Sequence, residues 1–365
     1  MTISQIIQTL TAIAPPSLQE GYDNAGLITG NPGWACTGII TSLDATEAVV
    51  QEALDKKCNL IVAHHPIVFG GLKQITGKNY VERTVIAAIK NDIAIYAIHT
   101  NLDNVIAGVN GKMADKLGLV NRKVLQPKGG QLKKLVVFVP EAQAAQVRQA
   151  MFEAGGGHIG NYSECSFNST GTGTFNGGAD TNPFVGTPGT QHQEPETKIE
   201  MVVPVWLAGA VVKAMLKAHP YEEVAYDIIS LDNTTGLIGS GLVGEFPEPM
   251  TETAFLSLVQ QTFGLKTLRH TPFLGKSIQK IALCGGAGSF LTKTAIASGA
   301  DAYITGDVKY HEFFDADGRL LLADIGHYES EQFTIDLLFD VLQEKFPTFA
   351  VLKTGVNTNP VLYFP

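Results

Sequence analysis

Residues 59–66 read Asn-Leu-Ile-Val-Ala-His-His-Pro, and residues 93–103 read Ile-Ala-Ile-Tyr-Ala-Ile-His-Thr-Asn-Leu-Asp. Each is a short, unbroken apolar run closed by polar residues, the form of a strand buried on both faces. Tyr80 to Asn91 between them has helical periodicity. Gly38 to Leu43 before them reads as another buried strand, followed by a helix from Ala45 to Lys57. Asp44 stands three residues before Glu47, a capping-box spacing, so Asp44 reads as that helix's cap rather than as a ligand. Strands alternating with helices predict an α/β fold with a parallel sheet, whose polar groups gather at the carboxyl ends of the strands.

The last third replays this order. Strand Ile278 to Leu283, the glycine turn Cys284 to Gly288, a helix through Ser298, strand Ala302 to Thr305, the elbow Gly306 to His311 and strand Arg319 to Asp324 lead to Gly326-His327. The expectation is two pseudo-symmetric α/β halves whose polar clusters face one cleft. Between them Leu135 to Pro140 reads as a strand and Glu141 to Ala154 as a helix. Gly155 to Gly189 is a Gly/Thr/Asn/Ser run suited to long hairpins or loops. Lys198 to Pro204, a helix from Trp206 to His219 and Tyr226 to Leu231 complete a strand-helix-strand-strand-helix-strand order, as in a ferredoxin-like (α+β) inserted domain. The predicted organisation is a core domain from residues 1–126 and 241–365, interrupted by an insert at 127–240.

A length of 365 residues at about 150 per domain agrees with two or three domains. The 45% hydrophobic content excludes disorder, and the most apolar stretch, Met201 to Val212, is interrupted by Pro204 and Gly209, so no membrane anchor is expected. With 26 basic against 35 acidic residues and a net charge of −9, a nucleic-acid partner is disfavoured. Ile3, Ile6, Ile7, Leu10 and Ile13 mark an amphipathic first helix rather than a signal peptide, and a cytoplasmic protein is expected. The four cysteines are scattered without a CxxC pair and read as reduced core residues.

The chemistry lies in the histidines. His64 and His65 leave one strand on opposite sides and so suit two metal ions better than one. His327 and Glu331, four apart, share a helix face, and Asp103 ends the next strand of the first half. Three imidazoles and two carboxylates fit two divalent ions, zinc first and then Mn, Fe, Co or Ni; Mg or Ca would require more oxygen. Taken singly, each signal has a plainer explanation: His-His-Pro as a turn, Asp103-Asn104 as a turn opener, His327 and Glu331 as a surface pair. Asp307 and His311, with Lys309 and Tyr310, are candidates for catalysis or substrate contact, or merely a turn cap and solvated surface. The Cys284 to Gly288 turn could offer amides to phosphate or serve close packing. In the insert, His158, His219, Glu222 and Glu223 could form a second site, while His219-Pro220 reads more simply as a helix end.

Ala63-His64-His65-Pro66-Ile67-Val68-Phe69, His99 to Asp103, Gly306-Asp307 with Tyr310-His311, and Gly326-His327 with Glu331 together resemble the NIF-three-like family, GTP cyclohydrolase 1 type 2 homologues. Gly157 to Tyr162 and His219 to Glu223 resemble its longer bacterial members, whose insert is similar to CutA and P-II-like folds. The resemblance implies a dinuclear centre on His64, His65, Asp103, His327 and Glu331, with Asp103 bridging and His99 behind the ligands. It also implies a toroidal homohexamer acting on a small molecule. Two metals suit hydrolysis of a nucleotide or other small metabolite. The alternative is a non-catalytic metal-binding protein that senses a ligand or traffics metal. Gly/Thr-rich residues Thr170 to Gln193 look like local elaboration.

Overall fold

The apolar runs pair into three sheets in the computed structural model, which describes residues 1–364. The chain divides into two units, one formed by Met1–Gln126 with Leu237–Pro365 and the other by Pro127–Gly236.

In the first unit a five-stranded sheet runs Gly26–Thr29, Ala94–Ala97, Leu60–Ala63, Ile39–Ser42, Val351–Lys353. Its last four strands are parallel, and Gly26–Thr29 is an antiparallel edge. Every residue of Ile39–Ser42, Leu60–Ala63 and Ala94–Ala97 is buried, as strands covered on both faces require. A six-stranded sheet runs Arg269–His270, Leu321–Asp324, Ala302–Gly306, Ser277–Ala287, Gly239–Thr251, Val120–Pro127. Its second, third and fourth strands are parallel, and Arg269–His270 and Gly239–Thr251 pair antiparallel with them.

The sheets do not keep to sequence halves. Val120–Pro127 joins the later sheet and Val351–Lys353 the earlier one, and Leu338 and Leu342 of helix Thr334–Lys345 enter the core that also holds Ile39, Leu60 and Val62. Each sheet is thus completed by a segment from the other end of the chain. The first helix, Ile3–Ile13, buries Ile3, Ile6 and Leu10 on the same core.

The reading of Asp44 as a helix cap is corrected. The helix spans Glu47–Asp55, and its cap is Thr46, whose hydroxyl accepts from the Val49 amide at 3.3 Å. The Asp44 carboxylate is held instead by His65 and Thr358, which draws it away from the helix end.

In the other unit a four-stranded antiparallel sheet runs Phe167–Phe175, His192–Pro204, Leu132–Pro140, Tyr226–Leu231. Helices Ala144–Glu153 and Ala208–Ala218 share a core with it that includes Val137, Val147, Ile199 and Met215. The Gly/Thr-rich run forms one long hairpin, with Phe167 opposite Glu200 and Phe175 opposite His192. Among the described residues no helix is long and apolar enough to cross a membrane. All four cysteines are free, and Cys36, Cys58 and Cys284 are buried.

Candidate metal centre

Neighbouring strand ends of the two sheets bring the polar clusters together. His64 and His65 follow Leu60–Ala63, Asp103 closes the short helix Thr100–Asp103 after Ala94–Ala97, and His327 and Glu331 bound helix His327–Glu331 after Leu321–Asp324. His65 Nε2 lies 2.9 Å from Glu331 Oε2 and 3.3 Å from His327 Nε2. His327 Nε2 is 3.1 Å from the same Glu331 oxygen, and His64 Nε2 is 3.8 Å from it. Three sets of potential ligand atoms each lie within 4.8 Å: His65, His327 and Glu331; His64, Asp103 and Glu331; His64, His65 and His99. Glu331 belongs to the first two.

A cation accounts for what hydrogen bonding leaves open. His64 Nδ1 donates to the Ile98 carbonyl at 2.8 Å, so in the neutral ring Nε2 is a bare acceptor. That Nε2 and Asp103 Oδ1 are both buried without a hydrogen-bond partner, and they face each other at 3.5 Å. Two lone pairs turned toward each other in a buried site cost free energy unless a positive charge lies between them. The donor set of imidazole and carboxylate fits a divalent transition metal.

Each imidazole is oriented from behind, as ligating histidines are. His65 Nδ1 donates to Asp44 Oδ1 at 2.7 Å, and the other Asp44 oxygen accepts from Thr358 Oγ1 at 2.6 Å. His327 Nδ1 donates to Asp307 Oδ2 at 2.7 Å. His99 Nδ1 donates to Asp23 Oδ1 at 2.8 Å, and Thr100 gives its amide and its hydroxyl to Asp23 Oδ2 at 3.1 and 2.5 Å. Burial alone would raise the Asp23 carboxyl, but the His99 and Thr100 hydrogen bonds bring its pKa down to about 2.

The titration behaviour shows how closely the charges are packed. Burial would lower His65 and His327, yet the Asp44 and Glu331 carboxylates raise His65 to about 10, and Glu331 and Asp307 raise His327 to about 9. Burial would raise Glu331, but His327, His64 and His65 hold it well below the usual glutamate value. At Asp103, burial reinforced by the Glu331 charge outweighs the His99 and His65 charges and pushes it up to about 7.

The glycine turn has its own explanation. Gly285, Gly286 and Gly288 donate their amides to Asn110 Oδ1, Ser330 Oγ and Thr305 Oγ1 at 3.0, 2.9 and 2.9 Å, so they are not free for phosphate. The turn serves close packing. Gly286 has φ +61°, and a Cβ there would lie 2.4 Å from Glu331 Oε1.

Asp307 is brought to the cluster through His327. His311, on the 3-10 helix Tyr310–Ala316, instead meets the rings of Tyr310 and Phe314 at centroid separations of 5.2 and 6.4 Å, and it belongs to none of the three sets. In the Pro127–Gly236 unit, His219 ends helix Ala208–Ala218 and spends both nitrogens internally, on the Phe138 carbonyl at 2.9 Å and the Tyr221 amide at 3.1 Å. His158 is exposed, and Glu222 accepts from the Asn182 amide at 3.0 Å. These residues do not form a histidine site. Asp23 and Thr358 carry no signal in the sequence, and Asp44 reads there as a helix cap, because the roles of all three depend on contacts with residues distant in the chain.

The same chain plan recurs in known proteins. A family model described as Duf34/NIF3 (NGG1p interacting factor 3) matches residues 1–360. A protein of Halalkalibacterium halodurans named GTP cyclohydrolase 1 type 2 homolog is 42% identical over 364 residues, 98% of each chain. A Bacillus subtilis protein of the same name is 39% identical over 326 residues, covering 89% of this chain and 87% of its own. Among solved structures, a Bacillus cereus protein related to NIF3 superposes with a TM-score of 0.87 at 38% identity, covering 100% of this chain and 99% of the other. Matched along nearly its whole length in sequence and in fold, the chain belongs to the NIF3 family.

Proposed function

We propose that His64, His65, Asp103, His327 and Glu331 hold two divalent metal ions and that the protein hydrolyses a nucleotide or other small metabolite. The carrying observation is the pair of buried, partnerless ligand atoms, His64 Nε2 and Asp103 Oδ1. Of the two carboxylates, Glu331 belongs to two of the three-residue sets and Asp103 to one, so the Glu331 charge would serve donors of both sets. Zinc is the first candidate for this donor set. When bound, such a pair activates water and neutralises charge that develops on the substrate. The protein's own part is to hold the imidazoles through Asp44, Asp307 and Asp23, which leaves the His99 ring, 5.3 Å from His64 between centroids, to handle a proton beside the cluster. Asp307 acts through His327, and exposed His311 with Tyr310 is assigned to substrate contact.

The GTP cyclohydrolase names of the relatives motivate GTP as a first substrate. We further propose that the core consists of two pseudo-symmetric halves. In support, both sheets carry a run of parallel strands, four in one and three in the other, whose last member pairs with a short antiparallel edge strand. The insert's strand order supports a ferredoxin-like domain. A cytoplasmic, ring-shaped homohexamer is proposed from the family resemblance, and light scattering that shows a monomer would remove the ring.

The test is elemental analysis of the protein as isolated, followed by turnover assays on GTP, phosphoesters and cyclic amides against His327→Ala. The expected result is about two metal ions per chain and hydrolysis lost in the variant. Metal-loaded protein inert toward every substrate class would refute the hydrolase, and metal-free protein that takes up none would refute the centre.

A further inference from the structure

The Gly/Thr-rich hairpin is not used by the metal centre. In its own unit, alternation along the strands turns Val137, Val139, Ile199 and Met201 toward the helices and leaves Phe138, Glu196 and Lys198 on the opposite sheet face. Residues of the loop 176–191 wall that face and flank a half-open cavity of about 770 Å³. This is the size of a small-molecule pocket. Its walls include Phe138, Phe175, Phe184 and Tyr221, and it is built wholly from residues of the Pro127–Gly236 unit.

One carboxylate sets its chemistry. Glu196 is only 8% exposed, and its Oε1 accepts from the Tyr221 hydroxyl at 2.9 Å. Gly173 makes room for it, since a Cβ there would lie 2.1 Å from Glu196 Oε2. Among the described residues no cationic side chain pairs with it: Lys198 reaches Glu200 at 3.2 Å, and His192 reaches Glu194 at 2.8 Å. Buried carboxylates are rare without a counter-charge. Glu196 lines the cavity together with Glu222, Glu223 and Lys198, and because the Lys198 ammonium is engaged by Glu200 the lining carries a net negative charge. Aromatic faces attract cations as well, and Tyr221 links Phe175 and Phe184 into one wall, at centroid distances of 6.0 and 6.4 Å. A divalent metal is poorly served, because one carboxylate within an aromatic wall supplies too few oxygen ligands.

We propose that this cavity binds a small organic cation, a primary amine or amidine on an apolar body, with its charged head on Glu196 and its body among Phe138, Phe175 and Phe184. The hairpin loop forms one wall of that site. The inference is independent of the proposed hydrolase.

The test is calorimetric titration of the full-length protein with phenethylamine and benzamidine, beside the matched neutral 2-phenylethanol and the anionic 3-phenylpropanoate. One cation should bind per chain, with the alcohol and the carboxylate at least about ten-fold weaker. Glu196→Gln keeps the shape and the acceptor for Tyr221 and should weaken the cation about ten-fold or more. Phe184→Ala, on the loop and away from the unit's core, should weaken it several-fold; both variants should keep the wild-type metal content and circular dichroism spectrum. No binding of either cation at millimolar concentration, equal binding of the alcohol, or undiminished affinity in Glu196→Gln would each overturn the proposal.

Discussion

Gly286 and Glu331 occupy one space: the side chain that Gly286 lacks would have its Cβ 2.4 Å from Glu331 Oε1. Glu331 is the carboxylate common to two of the ligand sets, so a glycine on the opposing strand sets its position. Gly286→Ala should displace Glu331 and also strain a backbone at φ +61°, a cost of about 1–2 kcal/mol. Calorimetric metal titration should show affinity falling at least about ten-fold; unchanged affinity would mean that the carboxylate has another seat.

The sharing of Glu331 predicts an unequal effect of two isosteric changes. Glu331→Gln removes the anion from both sets that contain it, whereas Asp103→Asn removes one from a single set. Metal content measured by mass spectrometry should therefore fall further in Glu331→Gln. The reverse ranking would make Asp103 the carboxylate on which metal binding depends more.

Asp44 touches no proposed ligand atom directly and works through His65. Asp44→Asn should weaken metal binding about ten-fold, and Thr358→Val, which removes the hydroxyl on the other Asp44 oxygen, by less. Asp307→Asn, behind His327, should resemble Asp44→Asn. If the stability of the metal-free protein fell while metal affinity held, these carboxylates would be structural only.

The pH dependence of the metal-free protein follows from the crowded charges. His65 and His327 are raised from 6.5 to about 10 and about 9. Their contribution to stability is thus complete below about pH 6.5 and is lost as pH rises through 9 to 10. Asp103, raised from 3.8 to about 7, acts in the same direction, since ionising it in the fold becomes costly as pH passes from 3.8 toward 7. Asp23, lowered to about 2, acts oppositely but only in acid. The melting temperature of chelator-treated protein should therefore drop between pH 6 and 10. Metal-loaded protein should hold its melting temperature over that range, because the ions replace the protons on the imidazoles. Parallel curves for the two forms would contradict this.

The strand ends that carry His64, His65, Asp103 and His327 were legible from the chain because apolar runs closed by polar residues are a local pattern. The same locality explains the error at Asp44. Asp44 and Thr46 both suit a helix start, and the decision came from His65 and Thr358, the latter 314 residues away in sequence. The glycine turn was equally ambiguous until Asn110, Ser330 and Thr305 were seen to take its amides.

By itself, the sequence determined the alternation of strands and helices and the residue types able to bind metal, since both rest on periodicity or spacing along a few turns of chain. Only the tertiary structure decided that Val120–Pro127 and Val351–Lys353 join sheets built from the other end of the chain, that Asp23, Asp44 and Asp307 orient three imidazoles, and that Glu196, hydrogen-bonded by Tyr221, lines a cavity without a cationic partner. These depend on which distant groups meet when the core closes. That closure is driven by non-directional burial of apolar surface, and the hydrogen bonds then select partners from whatever has been brought within reach.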